Sequence, residues 1–158
     1  MKALSIRQPW AWAILHAGKR VENRTWRCGH RGWLLIHASG GRADRGALAY
    51  LNVVLAQQTR LPLRLEDERR LQRGAIVGAA RVDEWDWVSF FRFRLQDLYT
   101  QQRLWVEGPA CVVLGEVRAL PEPVPCKGRL GLWTVPAGVL AGVASQLNDE
   151  LRNALLSS

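Results

Sequence analysis

Three changes of hydrophobic period within the first 38 residues constrain the fold more than any other feature of the chain. Lys2 to Ile6 reads as a short strand. Pro9 then stands where a helix favours its first residue, and Trp-Ala-Trp-Ala-Ile-Leu-His-Ala runs from there to a closing Gly18. Trp10, Ala13, Ile14 and Ala17 share one helical face. From Arg20 to Trp26 the period drops to two, with Val21, Asn23 and Thr25 on one side and Arg20, Glu22, Arg24 and Trp26 on the other. Gly32 opens a second strand, Trp-Leu-Leu-Ile-His-Ala, apolar enough to expect burial on both faces.

The rest of the chain is punctuated in the same way. Ser39-Gly40-Gly41 is a turn, and Ala43 to Gln58 carries Ala47, Leu51, Val54 and Leu55 at helical spacing until Pro62 ends the pattern. Leu65 to Leu71 is a short charged helix or loop, its Glu66–Arg73 run a solvated face. Gly74 introduces the strand Ala-Ile-Val-Gly-Ala-Ala-Arg-Val, which leads into the acidic, aromatic stretch Asp83 to Trp87. Residues 88–107 fit helix and strand equally. Cys111 to Val117 is a further strand, followed by a run broken by Pro121, Pro123 and Pro125. Gly128-Arg-Leu-Gly-Leu-Trp133 is a loop entering a short strand, and Pro136 starts a last helix whose Leu140, Val143, Leu147, Leu151 and Ala154 recur every three to four residues. Roughly five strands, two or three helices and no internal repeat predict an α+β fold around a small curled sheet or barrel.

One core suffices for 158 residues, so residues 1–158 are expected to form a single domain with 136–158 as a C-terminal helix packing on it. Three cysteines, Cys28, Cys111 and Cys126, are too few and too scattered for a disulfide framework. Cys28-x-His30 has no second Cys/His pair at ligand spacing, so no metal and no cofactor are expected. No signal-peptide run follows Met1-Lys2 and no stretch is long and apolar enough to cross a bilayer, which places the chain in the cytoplasm.

Charge points to a partner. The formal net charge is +8, and 19 of the 22 basic residues are Arg. A GC-rich genome would produce the same Arg bias, but the positive surplus attracts polyanions under either explanation. Eight Trp residues are many for one small core, because each indole N–H also needs an acceptor, and a Trp-lined stacking surface is the functional alternative to packing. The densest signal lies between residues 16 and 31, where Lys19, Arg20, Arg24, Arg27 and Arg31 surround one acid, Glu22, with His16, Trp26 and His30 among them. Strand parity puts Glu22 and Arg24 on one face, and Lys19 sits at the helix-to-strand turn where it can point into the same hollow. An ion pair that merely orients a strand accounts for the same pattern.

Ala-Gly-Lys-Arg-Val-Glu-Asn-Arg, from Ala17 to Arg24, resembles the G-x-K-x-x-E-x-R signature of the ASCH (activating-signal-cointegrator homology) family in the PUA-like superfamily. The resemblance extends to Ser5-Ile-Arg-Gln-Pro-Trp10, to Ile36-His-Ala-Ser39 and to Gly128–Trp133, covering most of residues 3–135 in outline. It implies an α+β fold with a PUA-like small β-barrel of about five to six strands flanked by helices, and a basic cleft floored by Lys19, Glu22 and Arg24. It also implies single-stranded or structured RNA, or a nucleoside or nucleotide, as the partner. Arg7, Lys127 and Arg129 flank the matched segments as candidate phosphate contacts, and Trp10, Trp26 and Trp133 as candidate stacking groups. The first signature Gly is Ala17 here, with Gly18 beside it to supply the turn.

Some small relatives resemble amidohydrolases acting on N4-acetylcytidine, and others are said to cleave RNA. In the former, the signature Lys activates a Thr at the position that Glu22 holds here, and a later Glu assists. Lys19 is retained and the Thr is not; Thr25 falls on the other strand face, and Asp83, Glu84 and Asp86 are the later acids on offer. If the chain is an enzyme, Lys19 and Glu22 are its candidate catalytic residues, since direct activation of water by the two is chemically open to groups that can accept protons. His37, within an apolar strand, reads as a hydrogen-bonded core histidine.

Overall fold

The computed structural model describes all residues except 59, 63–70, 91–95, 148, 150–151 and 154–158. The expectation of a charged segment at 65–71 therefore falls almost wholly outside the described residues, as do Leu151 and Ala154. The fold is α+β, with one six-stranded sheet curled into a half-barrel and helices packed around it.

Strand β1 (Lys2–Ile6) pairs in parallel with β3 (Gly32–Ala38) and antiparallel with β6 (Leu132–Thr134). Beyond β3 lie β4 (Ala75–Trp87), β5 (Ala110–Pro125) and β2 (Val21–Arg24), giving the order β2-β5-β4-β3-β1-β6. Register shifts interrupt the β3–β4 ladder at Ile36/His37 and the β4–β5 ladder in three places between Ile76 and Glu84. Such irregularities bend strands and raise their twist, which is how two long strands curl a six-stranded sheet.

Helix α1 (Trp10–His16) follows β1 directly, and α2 (Arg45–Gln57) starts at Asp44, whose side chain accepts a hydrogen bond from the Ala47 N–H at 3.0 Å. Leu48, Leu51, Val54 and Leu55 form its buried stripe. The segment ambiguous in sequence contains α3 (Gln96–Gln102) and a 3₁₀ turn, Arg103–Trp105. Helix α4 (Ala137–Ala144) follows Pro136 and packs on the sheet through Val143.

Strands alternate their faces between two main cores. Leu4 and Ile6 of β1, Leu34 and Ile36 of β3, and Val112 and Leu114 of β5 fill the barrel interior with Trp85. Ala3, Leu35, Ile76, Ala79 and Trp133 face outward under α4. Val21, Cys111, Val113 and Trp105 meet α1 and α2 in a third cluster.

Three expectations need correction. The 74–82 strand continues through the acidic, aromatic stretch to Trp87, and β5 runs straight through Pro121, Pro123 and Pro125. Partner β2 covers only Ala110–Val113 of β5, so the prolines lie where that side of the strand is a free edge and a missing N–H breaks no ladder. The strand predicted from Arg20 to Trp26 is shorter, Val21–Arg24.

Candidate functional site

The signature is built by a helix stop. Gly18 takes φ of +72°, a conformation that L side chains rarely adopt, and this lets the Lys19 N–H reach back 3.2 Å to the Ala13 carbonyl. Gly18 thus makes the turn although Ala17 occupies the first signature position. The turn drives Lys19 inward until its side chain is 2% exposed. There its ammonium donates to the Val21 carbonyl and, at 2.9 Å, to Glu22 Oε2, and it lies 5.9 Å from the ring centre of Trp10.

Glu22 spends its second oxygen on Arg24, with Oε1 3.1 Å from Nη2. That same Nη2 donates to the Ser5 carbonyl at 2.9 Å. Strands β2 and β1 are four places apart in the sheet, so one guanidinium bridges the open side of the half-barrel. The arrangement is a linear chain: ammonium, carboxylate, guanidinium, β1 backbone. Charge-assisted bonds of this kind are short and strong, and they are expensive to leave half-made when buried.

The amine and carboxylate are covered, whereas Arg24 keeps 19% of its side chain exposed. Trp26, half-buried, lies beyond the end of β2 with its ring 4.8 Å from that of Trp85, whose indole N–H donates to the Trp26 carbonyl at 3.0 Å. Trp10 meets Tyr50 and Trp105 edge to face, so much of it is packed. Arg7 is exposed, and its carbonyl accepts the Trp10 N–H at 3.0 Å at the start of α1.

Two residues of the expected cleft sit elsewhere. Trp133 is 5% exposed under α4, its indole N–H given to Ser5 Oγ at 3.1 Å and its ring edge against His37, so it offers no face to a base. Arg129 lines a separate hollow with Lys127, which none of Lys19, Glu22 or Arg24 lines. The later acids are engaged: Arg81 holds Asp83 at 3.0 Å, Arg31 holds Glu84, and Arg27 lies 3.4 Å from Asp86. Thr25 is exposed, and among the described residues no hydroxyl is hydrogen-bonded to Lys19 or Glu22. Cys28 and His30 bond through Sγ and backbone N–H at 3.4 Å, and among the described residues no group of three or more His, Cys, Asp or Glu could hold a metal.

Sequence reasoning missed the braces. Gln102, 8% exposed, donates from Nε2 to the Gly18 carbonyl at 3.1 Å and accepts the Arg20 N–H at 2.6 Å, clamping the signature turn from both ends. Asn23 points the other way from Glu22, donating to the Trp105 carbonyl at 2.8 Å and accepting the N–H groups of Glu107 and Gly108. Its place in the period-two pattern carried that signal. Gln102 had none, since the segment holding it had no readable period, and Ser5 acts through a backbone carbonyl that every residue has.

The ASCH domain family matches residues 4–84, just over half of the chain and inclusive of every signature residue. The chain belongs to the ASCH family. That family is linked in general with RNA binding. Among solved structures, this ASCH domain is similar to the crystal structure of ASCH from Zymomonas mobilis, at 14% identity and a TM-score of 0.47, over 99% of this chain and 93% of that one. A mutant form of the Zymomonas mobilis protein is similar at 14% identity and a TM-score of 0.48, over 91% of this chain and 96% of that one. No curated protein matches the chain. Among the described residues no helix is long and apolar enough to cross a membrane.

Proposed function

We propose that this ASCH domain binds RNA, or a nucleotide, at the mouth of the half-barrel, with Arg24 as the group that meets the ligand. One observation carries the reading: Arg24 is a partly exposed guanidinium aimed by a buried carboxylate and a strand carbonyl. A pre-aimed fork loses little freedom on meeting a phosphate or a base edge, which is what distinguishes Arg from Lys at such sites. Lys19 and Glu22 are positioning residues in this reading: the ammonium neutralises the carboxylate and holds it, and the carboxylate fixes Arg24. Trp26, braced by Trp85, supplies a stacking face for an unstacked base, and exposed Arg7 adds positive potential close to β1. The net charge of +8 steers a polyanion toward any such site.

The test is fluorescence anisotropy with short labelled oligoribonucleotides at two salt concentrations. Wild-type affinity falls with salt, and Arg24→Gln binds more weakly with a log–log salt slope shallower by about 0.7, the value for one lost single-strand phosphate contact. Trp26→Leu loses about 1–3 kcal/mol of binding free energy with little change of slope. Affinity that ignores both salt and Arg24→Gln would remove the basis of the reading.

A further inference from the structure

On the face of β1 that carries Ser5, turned away from Leu4 and Ile6, a hollow of about 450 Å³ is lined by Ser5, His37, Ser39 and the loop that carries Lys127, Gly128 and Arg129. Its lining contains no carboxylate. Lys127 and Arg129 are both exposed, and among the described residues neither forms an ion pair. Two unpaired cations on one short loop are repulsive unless something between them is negative.

The loop is held in place rather than free to relieve that repulsion. At its start, the Cys126 carbonyl lies 3.1 Å from His37 Nε2; a carbonyl only accepts, so this nitrogen carries the proton and donates it. At its end, the Trp133 indole N–H donates to Ser5 Oγ. Between them Gly128 lies directly on His37 and Ser5. A Cβ there would fall 2.6 Å from His37 Nδ1 and 2.8 Å from Ser5 Oγ, and closer still to His37 Cε1, so only glycine lets the loop approach this far. His37 itself is 1% exposed, and its Nδ1 is a bare acceptor without a donor at the floor of the hollow. The result is a cationic recess of nucleotide size, fixed at both ends and in the middle, with hydroxyls of Ser5 and Ser39 in its wall.

We infer that this recess is a second anion site, which takes the phosphate of a nucleotide between Lys127 and Arg129. It does not depend on the role given to Arg24, because Arg24 does not line the hollow and the two sites share only Ser5, whose carbonyl serves one and whose hydroxyl serves the other. The phosphate can come from a free nucleotide or from an RNA backbone crossing the end of β1, which β6 leaves uncovered beyond Leu4.

The Trp133 indole is a built-in reporter, since its N–H donates to a wall residue. Protein labelled with ¹⁵N at tryptophan is titrated with adenosine 5′-monophosphate, and separately with a short oligouridylate lacking a terminal phosphate, while the indole resonances are followed. The Trp133 resonance, assigned through Trp133→Phe, is expected to shift saturably. A response to the monophosphate assigns the site to free nucleotides, a response to the oligomer alone assigns it to RNA phosphodiesters, and either supports the site. Lys127→Ala/Arg129→Ala should weaken that response by about tenfold or more, as expected for lost charge-assisted bonds. Gly128→Ala should weaken it with both charges intact. Removal of two distant charges, in Arg103→Ala/Arg118→Ala, should not. A Trp133 resonance that stays still with both ligands overturns the inference, as does a distant double variant that weakens binding as much as the loop variant. Arg24→Gln leaves the Trp133 response to the monophosphate in place, so failure at one site is distinguishable from failure at the other.

Discussion

Replacing Glu22 by Gln tests the ion chain at its centre. The substitution conserves shape but turns one of two acceptor oxygens into an NH₂ group. Both oxygens are occupied, Oε2 by Lys19 at 2.9 Å and Oε1 by Arg24 at 3.1 Å, so either way the amide is flipped, one donor faces another. Two cations are left beside a neutral group, one of them on a side chain 2% exposed. Breaking a buried ion pair from one side costs about 3–5 kcal/mol, a large share of the roughly 5–15 kcal/mol that holds a domain folded. With a urea dependence of about 2 kcal/mol per molar, the unfolding midpoint should fall by about 1.5–2.5 M. Lys19→Met/Glu22→Gln, which removes the stranded ammonium as well, should cost less than the two single variants added together, with a coupling of about 0.5–3 kcal/mol. Asp149→Asn, which breaks an exposed pair with Arg152, serves as the control and should change the midpoint little. A Glu22→Gln midpoint within about 0.5 M of wild type, or strictly additive variants, would refute the idea that this carboxylate organises its neighbours.

Other consequences are open to direct measurement. Burial lowers the pKa of His37 from 6.5, and burial with the Arg60 charge lowers that of His16. The unfolded chain therefore binds more protons near and below pH 6.5, so urea stability should fall as the pH drops through that value, and His37→Asn should flatten part of the slope; a midpoint equal at pH about 7.5 and about 5.5 would contradict this. Burial first, with Asp86 adding to it against an opposing pull from Lys19, pushes the Cys111 thiol up to about 11. In native protein at mild alkaline pH, a thiol reagent should therefore modify half-buried Cys28 and leave Cys111 untouched until the chain unfolds, as read by peptide mass spectrometry. Gly78 is the narrow point between β5 and α1, where a Cβ would stand 2.6 Å from the Arg118 carbonyl oxygen and closer to Leu15; Gly78→Ala should cost about 1–3 kcal/mol in thermal or urea unfolding.

How much of this was legible in the sequence follows from which interactions leave a periodic trace. Side-chain parity is local, so the shared face of Glu22 and Arg24 was readable from Val21–Arg24 alone, and Gly18 announced the turn that brings Lys19 to them. The strand carrying Leu34 to Ala38 was equally plain, because five buried residues in a row leave little else to be. Parity fails where the opposing partner decides. Proline reads as a breaker in isolation, yet Pro121, Pro123 and Pro125 are harmless on β5 because β2 begins only at Val21, opposite Val113, and leaves the edge beyond it unpaired. The same limit explains the divided site. Loop residues Lys127 and Arg129 and the indole of Trp133 lie far along the chain from the signature, so no local period relates the two. Which face each occupies depends on β1, whose Leu4 and Ile6 point into the barrel while Ala3 and Ser5 point out. Ser5 touches both groups of residues, since its carbonyl accepts from Arg24 and its hydroxyl, which accepts from the Trp133 indole, lines the hollow of Lys127 and Arg129. The residues that read in sequence as one Arg/Trp cleft are divided between two settings, Arg24 beside Glu22 and Arg129 with Lys127 in a separate hollow.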